Sequence, residues 1–347
     1  MEEERQKRRS ARYDGGKPAK RDAHYHSAAS KRNRAALRKR RKRRQMRRRL
    51  TIAVGGAAAV LAVILVILLG IRIFTGKRIQ KVEELRLTAA SMDHSAWIRD
   101  GRVNVAGEPY ENQDTVKDWK DLVQVSVSDA HIVALDQRGT AHAAGANGSL
   151  QCEINGLEDV CYIETGMNCS LGVMNDGSIQ VFGILDEVRR EALKQEKDAV
   201  SVAMGEEHIA VLHSDGTVTA CGENRNGQCN VKKWKRVCQI AVGNGFTLGL
   251  TEKGKVLFAG NVGYNISCFT GMNRFSQIAA GNNSILGIDA DRKLWAAGMN
   301  LQGECDVEEW KDIISMAAGY DHTIGLCSSG DVYAAGYTGN GQCNVQL

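Results

Sequence analysis

The sequence predicts an all-β fold, a seven-bladed β-propeller of four-stranded blades, preceded by one transmembrane helix and a disordered basic tail. Three observations carry this. A glycine closes a short apolar run at Gly107, Gly145, Gly183, Gly222, Gly260, Gly298 and Gly336, at spacings of 38, 38, 39, 38, 38 and 38 residues, and a fixed period of this size marks a repeat architecture. A second glycine precedes it at Gly101, Gly139, Gly177, Gly216, Gly254 and Gly330, with Arg292 in the remaining place. Between residues 52 and 71 lie 20 positions without a charge, a length that at about 1.5 Å per residue crosses about 30 Å of bilayer hydrocarbon.

Taken in order, residues 1–50 come first. They hold 21 Lys and Arg against 5 Asp and Glu, a net +16, while the rest of the chain stands at −10. Few large apolar residues and strong self-repulsion predict a disordered cytoplasmic tail. Its densest part, Arg38–Arg49, reads as the positive flank of a membrane span. A specific nucleic-acid site and a nuclear-import signal are the competing readings, and the apolar stretch that follows decides against them. Anionic lipid is the partner such a flank implies.

Residues 51–71 are read as a signal-anchor helix. The apolar run is too long for a cleaved signal peptide, and no small-x-small cleavage site follows it. Residues 36–50 hold ten Lys and Arg and residues 72–86 hold five. That asymmetry predicts a single-pass plasma-membrane protein with its N-terminus in the cytoplasm and its propeller outside. Gly55 and Ala59 have the small-xxx-small spacing of a weak helix-mediated dimer. Residues 72–81 are a linker.

The propeller is assigned to residues 82–347. In the repeat Glu223–Gly260 the runs Gln239–Val242, Phe246–Leu250 and Lys255–Ala259 read as strands, with Glu252-Lys253-Gly254 turning between the last two. Asp100-Gly101, Asp176-Gly177 and Asp215-Gly216 hold the same turn elsewhere, and Asp-Gly tolerates the positive φ that hairpins need. The short run Gln228–Val231 is read as a fourth strand. Leu85–Ala90 aligns with Ile313–Ala318, and Gln342–Val345 is again a fourth strand. Pairing these N- and C-terminal pieces within one blade is the expected closure of the ring.

The segments GENRNGQCNVKKWKRVCQIAVG, GMNLQGECDVEEWKDIISMAAGYDHTIGL and GYTGNGQCNV resemble the regulator of chromosome condensation repeat. The resemblance covers about residues 82–347 and implies a seven-bladed propeller. The eukaryotic founder of that family exchanges nucleotide on a small GTPase and binds chromatin, and a secreted bacterial member inhibits β-lactamases by protein–protein contact. Fold analogy selects neither activity here.

His94, His131, His208 and His322 share one repeat position, and Asn168, Phe246 and Ser284 are read as its other occupants. One histidine per blade is spread around a ring, so the expectation is local structural hydrogen bonding within each blade and no metal. Of ten cysteines, Cys152, Cys229, Cys305 and Cys343 are repeat-equivalent and no CxxC pair occurs. They are expected to be small buried thiols in different blades, too distant for disulfides. Free thiols outside the cell suit a disulfide-poor bacterial envelope. Trp119, Trp234 and Trp310 recur with the period and are expected to pack between blades.

No phosphate loop, G-x-S-x-G, HExxH or EF-hand loop occurs, so neither a catalytic residue nor a cofactor is predicted. Leu185–Lys197 departs from the repeat with good helix formers, with Glu187 and Glu191 at helical spacing from Arg190 and Lys194, and reads equally as a surface cap or a partner-binding element. The variable loops fall on one face, with Tyr110, Asn147, Arg225, Tyr264, Asn300 and Tyr337 as partner-binding candidates, since rigid scaffolds carry binding residues on loops. The expected function is a membrane-anchored extracytoplasmic recognition scaffold that binds a protein or a cell-envelope polymer. The alternatives are an enzyme with a cross-blade site acting on an envelope glycan and, by family analogy, a guanine-nucleotide exchange factor. The latter needs the propeller in the cytoplasm.

Overall fold

Seven antiparallel three-stranded sheets follow one another along the chain, each built from consecutive strands. The computed structural model describes residues 86–271 and 274–345. The predicted tail, span and linker lie outside the described residues, among which no helix is long and apolar enough to cross a membrane. In chain order the inner strands are Thr88–Ala90, Leu122–Val127, Val160–Thr165, Ala199–Met204, Val237–Gly243, Phe275–Ala280 and Ile313–Ala318. The middle strands are His94–Arg99, His131–Asp136, Cys169–Met174, His208–His213, Phe246–Thr251, Ser284–Asp289 and His322–Cys327. The outer strands each end on a landmark glycine, from Arg102–Gly107 to Val332–Gly336.

The middle strands carry dense apolar runs because each is covered on both faces by neighbouring sheets. All six residues of His131–Asp136, Ser284–Asp289 and His322–Cys327 are buried. Seven core clusters result, one in each interface between adjacent sheets, including seventh against first. Each connecting segment adds an anchor to the interface it enters, such as Trp119, Ile154, Leu193, Val231, Phe269 and Val307.

The landmark glycine closes each outer strand against the start of the middle strand. At Gly145, with φ 118°, a Cβ would stand 2.5 Å from the Ala130 carbonyl oxygen and 2.6 Å from the His131 Cα. No side chain fits there. A second device sits before the inner strands, where Asp121, Asp159, Asp198 and Asp312 adopt φ between 55° and 60°. Aspartate tolerates that left-handed conformation, and the register shift that follows each of them starts the inner strand.

The fourth strand does not form. Gln228–Val231 is a turn, as are its equivalents at 304–307 and 342–345, while Gln151–Ile154 is a short 3-10 helix. Side-chain bonds to the backbone take the place of a ladder. The Asn224 Oδ1 accepts the Cys229 N–H at 2.9 Å, and the buried Gln228 Oε1 accepts the Asn226 N–H at 2.9 Å. Asn147 with Cys152 and Asn300 with Cys305 repeat the bond.

Ring closure also differs from the strand pairing expected. Among the described residues no C-terminal strand joins the first sheet, whose order is Thr88–Ala90, His94–Arg99, Arg102–Gly107. The C-terminal turn instead lies against it. Asn340 Nδ2 donates to Asp93 Oδ1 at 2.5 Å and Gln342 Nε2 to the Met92 carbonyl at 3.4 Å. Val345 packs with Trp97 and Ile324, and the hydroxyls of Thr88 and Ser315 meet at 2.8 Å between the first and last inner strands.

The predicted helix is present as α1, Glu187–Gln195, capped by Asp186, whose Oδ1 accepts the Arg189 N–H at 3.0 Å. It buries Leu193 between the third and fourth sheets. Lys194 pairs with Glu191 as expected. Arg190 does not bond Glu187; its Nη2 donates to the Gly183 carbonyl at 2.7 Å and fastens the helix to the outer strand.

Candidate functional site: the loop face

Three sets of chain turns share one end of the sheets. Inner strands end there, middle strands begin there and outer strands end there, as the pairing of His131 with Gly145 requires. The inner loops of this face, residues 91–93, 128–130, 166–168, 205–207, 243–245, 281–283 and 319–321, carry Asp93, Asp129, Glu206, Glu207 and Asp321, and neither lysine nor arginine. The outer loops add Glu108, Glu111, Asp186 and Glu223 against Arg225. The opposite face mixes both signs, as in Lys232, Lys233, Lys235 and Arg236 beside Asp215 and Glu252.

Exposed apolar side chains gather on the same acidic face. Among the described residues, Met92, Leu150, Met167, Ile184, Met299, Leu301 and Tyr337 stand in these loops and Val188 on the first turn of α1; Tyr333 alone of the exposed large hydrophobics lies on an outer strand. Scattered exposed apolar residues are ordinary, but their concentration on one face is not. Four of them form a sector at the third sheet: Leu150, Met167, Ile184 and Val188 are 62%, 61%, 65% and 75% exposed. The Ile184 N–H donates to the Asn168 carbonyl beside Met167 at 2.9 Å, and Gln151, next to Leu150, lies under Gly183.

This sector opens onto the central channel, a cavity of about 500 Å³ lined by the inner strands. At one register position the channel wall carries Ala89, Ser126, Glu164, Ala203, Ala241, Ala279 and Ala317. Glu164 is the charged departure. Desolvation raises its pKa, opposed by Arg86, whose Nη1 donates to Oε2 at 2.7 Å.

The six sequence-predicted loop residues separate into three kinds. Arg225 and Tyr337 are exposed on the face. Asn147 and Asn300 are exposed, but their amides are engaged within their own turns, with Glu153 and Cys152 and with Asp306 and Cys305. Tyr110 is buried, stacked on His94 at 4.0 Å between ring centroids, with its hydroxyl donating to the Ser128 carbonyl. Tyr264 is half-buried in the interface between the fifth and sixth sheets. Sequence reading did not single out Leu150, Met167 and Ile184, while Val188 falls within Leu185–Lys197, one of whose two readings was a partner-binding element. Part of their signal was there: Leu150 stands where other repeats carry Asn112, Gly227, Gly303 and Gly341, and Ile184 where two carry Glu108 and Glu223.

The histidines lie under this face and act both within and between sheets: His94 bonds the Glu108 carbonyl and His131 the Ser128 hydroxyl of their own sheets, while His131, His208 and His322 also reach a neighbouring sheet. The Ser170 hydroxyl donates to the Gln151 carbonyl at 2.8 Å, so it accepts the Nε2–H of His131 from the preceding sheet, also at 2.8 Å. Thr247 stands likewise between the Gln228 carbonyl and His208, and Ser95 of the first sheet meets His322 of the seventh. Burial lowers the pKa of His131, His208 and His322 to about 4. In the third sheet the equivalent position is Cys169, which pairs with Gly183 as His131 does with Gly145, and not Asn168.

The regulator of chromosome condensation (RCC1) repeat model matches residues 199–228 and 313–342. No curated protein matches the chain by sequence. Among solved structures, the CRINKLY WD40 ectodomain of the receptor kinase ACR4 from Arabidopsis thaliana superposes with a TM-score of 0.57 at 15% identity, over 72% of this chain and 94% of that one. Prp20p from Saccharomyces cerevisiae superposes with a TM-score of 0.55 at 17% identity, over 76% and 85%. The yeast RCC1 (Prp20) solved bound to Kap60 gives 0.54 at 17%, over 74% and 81%. Residues 199–228 and 313–342 thus match the regulator of chromosome condensation repeat, and the seven sheets share the propeller fold of these solved structures.

Proposed function

We propose that this protein is a recognition scaffold, anchored in the plasma membrane through residues 51–71, that presents its propeller outside the cytoplasm and binds a protein or an envelope polymer through the loop face. The observation that carries this reading is the gathering of exposed apolar side chains on the one face whose loops are acidic. Backbone bonds and cross-sheet joints beneath that face hold its loops in place, which limits the ordering cost of binding. Glu164 stands against Arg86 rather than a second carboxylate, an arrangement that favours a binding role over paired acid–base hydrolysis. The same fold serves as the ectodomain of a receptor kinase in ACR4. The charge asymmetry about residues 51–71 supports the orientation.

Topology and binding are tested together by a C-terminal reporter on the full chain, followed by affinity capture with the wild type and Ile184→Asp. An extracytoplasmic reporter signal and a partner retained only by the wild type are expected. A reporter active only in the cytoplasm would contradict the orientation and favour the exchange-factor reading.

A further inference from the structure

We propose that the third-sheet sector of the loop face docks a cationic protein segment bearing at least one large apolar side chain. This rests on the loop-face reading and specifies the chemistry of its partner. Leu150, Met167, Ile184 and Val188, all exposed on the loops and helix around the third sheet, supply the apolar contact, with Met167 and Ile184 at the channel mouth. Two of them are carried by the one segment that departs from the repeat by forming α1, and that helix is fixed through Leu193 and Arg190 rather than left mobile. The surface is therefore preorganised.

Charge selects the partner. Asp129 and Glu206 stand at the channel mouth beside the sector, with Glu207 next along the same loop. Arg189, the nearest base, is already committed: it pairs with Asp186, and its Nη1 donates to the Glu206 carbonyl at 2.9 Å. The Glu206 and Glu207 carboxylates are thus left to face solvent. An acidic partner meets uncompensated repulsion across a face with this loop composition, whereas a basic one is steered toward it. Methionine at the mouth, Met167 with Met204 behind it, provides an adaptable apolar lining. The occupant is a separate protein, since on the proposed topology the chain's own basic tail lies on the other side of the membrane.

The test titrates full-length protein in detergent with three short fluorescent peptides. One is a Lys/Leu copolymer, one a Glu/Leu copolymer of the same apolar content, and one a Lys/Ser copolymer, each measured by anisotropy at low and physiological salt. The Lys/Leu peptide is expected to bind, more tightly at low salt, and to lose about tenfold or more in affinity with Ile184→Asp and with the pair Glu206→Lys, Glu207→Lys. Lys233→Glu on the opposite face should leave it unchanged. Equal binding of the Glu/Leu peptide, with the loss on Ile184→Asp retained, would overturn the charge assignment and leave the loop-face reading standing. Binding of the Lys/Leu peptide that is indifferent to Ile184→Asp, or no binding at all, would overturn the docking site. Binding that emerges only after residues 2–49 are deleted would make the tail the occupant and overturn the separate partner.

Discussion

Trp234, delivered by the segment that follows the fourth sheet, lies flat against Gly249 in the middle strand of the fifth. A Cβ on Gly249 would come within 2.8 Å of ring atoms Cε3 and Cζ3. Trp310 and Gly325 repeat the relationship two sheets later, at 2.9 and 3.0 Å. In the first sheet the position equivalent to Gly249 is Trp97, 2% exposed, so there the sheet supplies the aromatic ring itself. The recurring tryptophans and the glycines three residues into the middle strands are two halves of one joint.

Gly249→Ala is expected to destabilise the propeller by about 1–3 kcal/mol through overpacking, read as a lowered denaturation midpoint with the slope unchanged. Combining it with Trp234→Leu should cost less than the two single changes added together. Strict additivity would show that the two residues do not press on each other.

The histidine joints make stability depend on pH. His131, His208 and His322 have folded pKa values of about 4 against an ordinary 6.5. Between those values the unfolded chain binds the extra protons, so stability rises with pH there. It is complete above about pH 6.5 and falls as pH drops toward 4, by on the order of 1–3 kcal/mol per histidine. Urea melts at pH 7 and pH 5 should show the loss, and His208→Phe, which places at this position the residue the fifth sheet carries as Phe246, should reduce it. An equal loss in that variant would take the titration away from His208.

The C-terminal turn should be needed for closure. Deleting residues 340–347 removes the Asn340 and Gln342 bonds to the first sheet and the Val345 contact with Trp97. A lowered melting temperature and reduced solubility are expected, since an uncovered sheet invites association. An unchanged melt would mean that the turn does not hold the ring.

Repeat-equivalent thiols should be inert. Burial pushes Cys152 and Cys343 up to about 11 and Cys305 up to about 12, and thiolate is the reactive form. Folded protein at pH 7.5 should alkylate slowly at these positions and at full rate in denaturant. Rapid labelling of native Cys305 would contradict its burial.

Period, blade number and strand positions were legible because they rest on local signals: hairpin Asp-Gly pairs, apolar runs and glycines with no room for a side chain. Gln228–Val231 was not, because its apolar and β-favouring letters describe an anchor, Val231, within a turn held by Asn224 and Gln228 side chains. Periodicity cannot separate those. The candidate face was legible as a face, since all variable loops end there. Its individual residues were not: Tyr110 has the composition of a contact residue, yet it fills the space beside His94. An aromatic ring in a loop is equally suited to solvent and to the neighbouring interface, and only packing decides. Arg86 with Glu164, 78 residues apart and joined through the channel, left no sequence signal beyond a carboxylate where other repeats have Ala or Ser.

The proposed function requires the loop face to be the surface that meets the partner. The most direct measurement places a photo-crosslinking amino acid, one at a time, at Ile184, Leu301 and Tyr337 on that face and at Lys233 and Lys253 on the opposite one, in full-length protein in its own membrane. Adducts of one defined mass from the loop-face positions and none from the two lysine positions are predicted. Adducts from Lys233 or Lys253 with none from Ile184, Leu301 or Tyr337 would contradict it.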